Sequence, residues 1–335
     1  MQIKVRTLSD LAKIAGVSES TASRALNNNT LISEKTRKKI QQLAREYDFR
    51  INSTARNLRL QKSNTIAVVI LKSSELDQAI TDPFVLNIVG VIAEQLRLHK
   101  YDVLLVSRTV DDVLPLSDYF NMKRADGLIV FGQGDDYSKF EGMIDKHYPL
   151  VVWGAQSDKH DYVTVGTDNH LGGKLATLHL LEQGCQKIAF GGHLSYETGL
   201  RFRGYQEALS SSGLPQYAPL DVHFTYEDAY RVTQALIQQG NFDYDGIVAA
   251  SDTIALGMIR ALTEANIAVP QQVAVVGYDD IPVGGYTQPS LSSVRQNTLE
   301  GGKALVDSLL RLLDGQSVDS TLLKTELVIR NSSNR

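Results

Sequence analysis

From Thr65 onward, short strand-like apolar runs alternate with amphipathic stretches of helical length, and few folds accommodate that pattern. The runs are TIAVVIL, YDVLLVS, DGLIVFG, PLVVWGA, DYVTVGT, KIAFGG, DGIVAAS and VAVVGYD. Between them the sequence predicts helices near residues 84–99, 112–123, 137–147, 170–183, 199–212, 228–239, 252–265 and 298–313. Repeated strand–helix units mean doubly wound parallel sheets. There are too many units for one comfortable sheet, so two doubly wound parallel-sheet subdomains with a cleft between them are expected. Ligands in such folds sit at the carboxyl ends of the strands, where the loops cluster.

The residues before this alternation carry the opposite charge. Positions 1–62 hold 13 Lys/Arg against 5 Asp/Glu, a formal +8. The whole chain of 335 residues has 34 basic and 38 acidic residues and a net charge of −4, which leaves −12 for the remainder. A basic head on an acidic body points to a polyanion bound at one end only.

Within residues 7–47 the apolar positions follow a helical period, and a capping residue opens each run. Thr7 with Asp10 fits a capping box ahead of Leu8, Leu11, Ile14 and Ala15, and Gly16 ends that helix. Ser18 caps a second helix through Leu26, and the short AGVS interval forms a helix-turn-helix corner. Asn27 to Asn29 stop the second helix, and Ser33 opens a third that reaches about Tyr47 with Ile40, Leu43 and Ala44 inward. A three-helix helix-turn-helix bundle is therefore expected. On the second helix Glu19, Ser20, Thr21, Ser23 and Arg24 gather at the start and outer face, where side chains reach base edges in a major groove. Ser33, Thr36 and Arg37, with Lys38, suit phosphate oxygens, and Thr7 and Asn27 complete the expected DNA-facing set.

Three stretches resemble the LacI/GalR bacterial transcription regulators: T-L-x-D-L-A-x-x-A-G-V-S-x-x-T-x-S-R at Thr7 to Arg24, S-x-x-T-R at Ser33 to Arg37, and N-x-x-A-R-x-L at Asn52 to Leu58. The resemblance implies a hinge helix at Ser53 to Leu58 that orders on operator DNA, with Leu58 as a minor-groove wedge and Ala55 facing a dimer mate. Asn52 is a good N-cap, yet two helical turns do not persist alone in water. Glu19 and Ser20 occupy base-reading positions; Glu19 can accept from cytosine N4, so the operator should differ from those of relatives with neutral residues there.

The resemblance extends through VTVGTDNHLGGKLATLHLL, RFRGYQEAL, SDTIALGMIRAL, VPQQVAVVGYDDI and PSLSSVRQN. It implies a periplasmic-binding-protein-like effector domain. The resulting division is 1–50 for the DNA-binding domain, 51–63 for the hinge helix and linker, and 64–335 for effector binding and dimerisation. Within the last, an N-subdomain near 64–163 and 293–320 and a C-subdomain near 164–292 and 321–335 are expected. Gly172, Gly173, Gly277 and the Asp168–Asn169 pair are read as structural, placing tight turns and caps.

The implied effector contacts are Arg201 and Asp279, a charged donor and acceptor suited to vicinal hydroxyls. Phe224 falls where the family has an aromatic that covers a sugar's apolar face, and Phe84 opens the first helix at the cleft. Gln296 and Ser251 are further polar candidates, and Asp280 is read as a turn residue. Two positions depart from the family: Ser251 replaces a frequent Asn, and Gly154 stands where some sugar-responsive members have an acid.

Catalysis finds little to stand on. FGQGD lacks the third glycine of a dinucleotide site. The seven histidines are scattered, Cys185 is the single cysteine, and the Asp111/Asp112 and Asp135/Asp136 pairs read as solvated charges, so no enzyme activity, metal or cofactor is expected. The N-terminus shows no secretory pattern and no run spans a membrane, which predicts a cytoplasmic protein with no membrane partner. The end of the chain carries no leucine heptad, so a homodimer on pseudo-palindromic double-stranded operator DNA is expected. The function implied is a repressor of sugar-utilisation genes released by a sugar or sugar phosphate. The alternatives are a regulator needing a purine or other co-repressor, and a small-molecule receptor without DNA binding.

Overall fold

The computed structural model describes residues 5–49, 62–72, 78–109, 115–133, 148–156 and 161–335. The chain forms two compact units, Met1–Ser63 and Asn64–Arg335.

The first unit contains α1 (Leu8–Ala15), α2 (Glu19–Leu26) and α3 (Glu34–Glu46). Thr7 and Asp10 form the reciprocal capping box, and Gly16 closes α1 in the left-handed conformation at φ 72°. A residue with a side chain would be strained at that corner, which is why the turn needs glycine. Leu11, Ala15, Ala25, Ile40 and Ala44 form the buried centre. Two side chains of α3 tie the bundle together: Lys39 Nζ donates to the Ala15 carbonyl at 3.2 Å and Gln41 Nε2 to the Ala25 carbonyl at 3.1 Å. Lys39 reaches a carbonyl at the C-terminus of α1, and Gln41 adds a second donor to one that also accepts from the Asn28 amide.

In the second unit β1 (Thr65–Lys72), β2 (Asp102–Thr109), β3 (Gly127–Phe131), β4 (Leu150–Trp153), β5 (Val163–Thr167) and β10 (Thr321–Leu323) form a parallel sheet in the order β10-β5-β4-β3-β1-β2. Ile66, Val68 and Ile70 pack on one face with α4 (Pro83–Leu98) and α10 (Thr298–Leu313). Ala67, Val69 and Leu71 pack on the other with Leu116, Tyr119 and Phe120, the last two on the short α5 (Asp118–Asn121). A strand covered on both faces must be apolar at successive positions, and β1 is.

The second sheet, in the order β11-β9-β8-β7-β6, comprises β6 (Ile188–Gly191), β7 (Gly246–Ala249), β8 (Ala274–Asp279), β9 (Ser292–Arg295) and β11 (Glu326–Val328). Only the β11–β9 pair is antiparallel. Its helices are α6 (Asn169–Glu182), α7 (Tyr196–Ser211), α8 (Tyr226–Gln238) and α9 (Asp252–Glu264). Cys185 is buried beneath β7, and burial pushes its thiol up to about 11, as befits a packing residue.

Three details differ from the sequence expectations. The chain changes sheets after Thr167, Arg295 and Leu323, a few residues beyond the changeovers expected near 163, 292 and 320. In β9 the strand is built from Ser292 and Ser293, whose burial is possible because their hydroxyls bond to Arg330 and Asp252. Gly172, Gly173 and Gly277 make no turns; they permit close approach. A Cβ at Gly173 would lie 1.9 Å from the Arg201 carbonyl oxygen, and one at Gly172 would lie 2.5 Å from Tyr278 Oη. The helix expected near 137–147 lies outside the described residues.

Candidate functional site

Two sites emerge, one in each unit. In the first, the Ser18 hydroxyl accepts from the Thr21 amide at 3.2 Å and lies 2.9 Å from both Ser20 Oγ and Thr21 Oγ1. This hydroxyl cluster sits at the start of α2, where open amides and the helix dipole favour an anion. Ser18, Glu19, Ser20, Arg24 and Asn27 are exposed, while Thr21 and Ser23 are half-buried. Asn27 Nδ2 donates to the Ser23 carbonyl at 2.8 Å, so its amide closes α2. Ser33 and Thr36 repeat the arrangement at the start of α3, with hydroxyls 2.9 Å apart and Arg37 half-buried beside them. Thr7 is exposed as the cap of α1. Arg24 is exposed on α2, and the Arg37 side chain makes no ion pair or hydrogen bond with another described residue. Asn52, Ala55 and Leu58, the expected hinge contacts, lie outside the described residues.

In the second unit a cleft open to solvent lies at the carboxyl ends of the strands. One wall is aromatic. Phe84 at the start of α4 and Phe131 at the end of β3 flank Trp153 at the end of β4, with ring centroids 5.7 and 6.4 Å from the indole. The opposite wall is polar, with Asn169, Glu197, Thr198, Arg201, Asp279 and Gln296; Phe224 also lines the space.

Arg201 is 7% exposed and held on three sides. Its Nε donates to Asn169 Oδ1 at 2.8 Å, its Nη1 donates to the Ala250 carbonyl, and its guanidinium stacks 3.6 Å above the Tyr278 ring centre. Nη2 makes no hydrogen bond among the described residues. A buried cation whose other nitrogens are fixed is preorganised to donate from the remaining one. Asp279 is 3% exposed and adopts φ 113°, a costly conformation for a non-glycine residue and one concentrated at functional sites. Burial pushes its carboxyl up to about 7 against the pull of Arg201, with the charge of Asp82 adding to the rise and Gln296 opposing it.

The same residues reach the passages between the two sheets. Gln296 Nε2 donates to Asp279 Oδ1 at 2.7 Å, and its Oε1 accepts from Thr167 Oγ1 at 3.0 Å. The Asp168 amide donates to Thr325 Oγ1 at 2.9 Å, and Arg295 Nη1 to Glu326 Oε1 at 2.8 Å. All three crossings are thus bonded to one another, and Asp279 is connected to them through Gln296. Across the cleft, the buried Asp82 caps α4 by accepting from the Phe84 amide at 2.9 Å, and it also accepts from Thr253 Oγ1 on α9 at 3.0 Å. One carboxylate thereby touches both halves of the unit.

Of the effector residues expected from sequence, Phe84, Arg201, Phe224, Asp279 and Gln296 line one cleft. Ser251 does not. Its hydroxyl is fully buried and accepts from the Ile254 amide at 3.2 Å, so it is spent capping α9. Asp280 proves to be more than a turn residue, pairing with Arg295 at 2.7 Å and Arg330 at 2.6 Å. The sequence reading missed Trp153, Thr167, Asn169 and Glu197. Trp153, as the single tryptophan closing an apolar run, was the available signal. Gly154 leaves room for the Gln133 amide, which would lie 2.4 Å from a Cβ there and bonds the Ala155 amide at 2.8 Å.

Residues 7–52 match the model of the bacterial regulatory proteins of the lacI family, and residues 177–333 match that of the periplasmic binding protein-like domain. The HTH-type transcriptional regulator YvdE of Bacillus subtilis is 30% identical over 98% of this chain and 99% of its own. The ribose operon repressor of Haemophilus influenzae is 28% identical over 97% of this chain and 98% of its own. The solved structure of the Lac repressor dimer bound to operator and the anti-inducer ONPF superposes with a TM-score of 0.86 at 27% identity, covering 98% of each chain. The likeness runs through both the DNA-facing helices and the cleft, and this chain belongs to the lacI family of bacterial regulatory proteins, whose members are transcriptional regulators and not enzymes.

Proposed function

We propose that the chain is a repressor of sugar-utilisation genes whose affinity for its operator falls when a small sugar occupies the cleft. The observation that carries the reading is the facing of Arg201 Nη2 and Asp279 by an aromatic wall of Phe84, Phe131 and Trp153. A pyranose or furanose offers hydroxyls at its edge and apolar C–H groups on its face, which such a cleft complements. A relative is named a ribose operon repressor, and this chain shares 28% of its residues.

In this reading residues 1–50 read the operator's major groove, 51–63 supply the hinge helix with Leu58 as wedge, and 64–335 bind sugar and hold two copies together in the cytoplasm without catalysis. Closure around the sugar strains the crossings at Thr167, Gln296 and Thr325, rotates the halves and separates the hinge helices of the dimer. The sugar must therefore bind the DNA-incompetent state better, and shifting a 1:99 equilibrium to its inverse takes about 5.5 kcal/mol of differential binding, shared by two sites.

The test is selection of bound sites from a randomised duplex library, followed by titration of sugars against the selected site. A pseudo-palindromic site weakened by a sugar is the expected outcome. A site tightened by a purine supports the co-repressor alternative, and binding without sequence preference rejects both.

A further inference from the structure

We infer that Tyr278 is a positioning residue for the ligand: its ring fixes the plane of the Arg201 guanidinium and ties that donor to Asp279. The inference rests on the sugar reading above and adds to it a residue buried behind the cleft wall.

A guanidinium is a plane, and aiming one of its nitrogens means fixing that plane. Arg201 Nε donates to Asn169 Oδ1 at 2.8 Å and Nη1 to the Ala250 carbonyl. Two bonds from one planar group fix two points, so the plane can still tilt about the line through them, and Nη2 swings with it. The Tyr278 ring removes that freedom. The guanidinium carbon lies 3.6 Å from the ring centre, and the negative face of an aromatic ring holds a desolvated cation laid against it. Both side chains are buried, so little water competes for either.

The ring is held in turn by α6. A Cβ at Gly172 would lie 2.5 Å from Tyr278 Oη and 2.7 Å from its Cε2, and one at Gly173 would meet the Arg201 backbone. Two consecutive glycines weaken a helix, and here they admit the ring at one position and α7 at the next. Asn169, which holds Arg201 Nε, is the first residue of the same helix. Thus α6 packs on the ring and also supplies one of the in-plane bonds.

Tyr278 and Asp279 are consecutive residues at the end of β8. The ring beneath the donor and the carboxyl opposite it therefore hang from one strand end, where Asp279 accepts from Gln296 Nε2 at 2.7 Å. The strand sets the spacing of donor and acceptor before a ligand arrives, so binding does not have to order them.

The test is calorimetric titration of the full chain with ribose, glucose, galactose, fructose and cellobiose, repeated in variants with the sugar that binds. Tyr278→Leu removes the ring face and should weaken that sugar at least about tenfold; Tyr278→Met takes its place if the leucine variant does not fold. Tyr278→Phe keeps the face and should restore affinity to within about threefold of the parent. Arg201→Lys replaces the planar fork by a point charge, so adding the ring substitution to it should cost less than about threefold more. A ring that merely packs would weaken binding by the same factor in both backgrounds. Any one of equal factors, a loss below about tenfold in the non-aromatic variant, or a phenylalanine variant as weak as it overturns this inference and leaves the sugar reading standing. A parent chain that binds no sugar in the panel rejects the sugar reading and this inference with it.

Discussion

Substitution of Asp279 by Asn should flatten the pH dependence of stability of the larger unit. Burial holds the Asp279 carboxyl at about 7 in the folded chain, against an ordinary value of 3.8. Between these values the folded state carries one proton more than the unfolded state, so this group's stabilisation is complete below the lower value and is lost as pH rises through the upper one. The slope is about 1.36 kcal/mol per pH unit, which integrates to about 2 kcal/mol between pH 5 and pH 7. An asparagine at 279 keeps an oxygen for the Gln296 amide and has no proton to lose. The variant should therefore gain at least about 2 kcal/mol relative to the parent over that interval, because Asp252, which burial and then the charge of Asp279 hold well above its ordinary value, is relieved as well. His179, which burial holds below its ordinary value, titrates in both proteins and cancels in the difference. Urea unfolding followed by fluorescence isolates this unit, because Trp153 is the single tryptophan and lies in the cleft wall. Parallel pH profiles for the two proteins would refute the assignment of Asp279 as a carboxyl held neutral by burial.

Other substitutions separate the two sites. Arg201→Ala should retain operator binding and lose the response to sugar in a gel-shift titration; a normal response removes Arg201 from the site. Gly173→Ala places a methyl group 1.9 Å from the Arg201 carbonyl, so α6 and α7 must part, at a cost of about 1–3 kcal/mol in urea unfolding and with weaker sugar binding. Ser18→Ala removes the cap of α2 and should lower the stability of the first unit by about 1 kcal/mol in thermal unfolding followed by circular dichroism. Operator affinity of the unaltered chain should fall steeply with salt, in keeping with phosphate contacts by Arg24, Arg37 and their neighbours; a flat dependence contradicts the DNA-facing assignment.

The parts of the fold that were legible in sequence are those governed by local rules. Thr7, Ser18 and Ser33 cap helices because short hydroxyl side chains reach the amides of the first turn, and Gly16 supplies the left-handed corner. Runs such as Thr65 to Leu71 are readable because a strand covered on both faces has no polar positions to obscure it. The β9 strand was hidden for the opposite reason: Ser292 and Ser293 are polar, and their burial depends on Arg330 and Asp252, distant in sequence. The site divides similarly. Arg201, Asp279, Gln296, Phe84 and Phe224 meet in one cleft as motif matching implies, whereas Asn169 is recognisable only once α6 and α7 are packed and its Oδ1 holds Arg201. The motif makes Ser251 a candidate contact, but its short side chain satisfies the helix it begins.

In the proposed scheme sugar and operator compete through one conformational equilibrium, and linkage makes that competition measurable from the sugar side. Whatever factor by which a sugar lowers operator affinity, the operator must lower sugar affinity by the same factor. Titrating the sugar into the full chain alone and into its saturated operator complex should give a weaker dissociation constant in the complex, by a factor equal to that found in the DNA titration. An unchanged constant would mean that the cleft and the DNA-facing helices are uncoupled, and a tighter one would make the ligand a co-repressor.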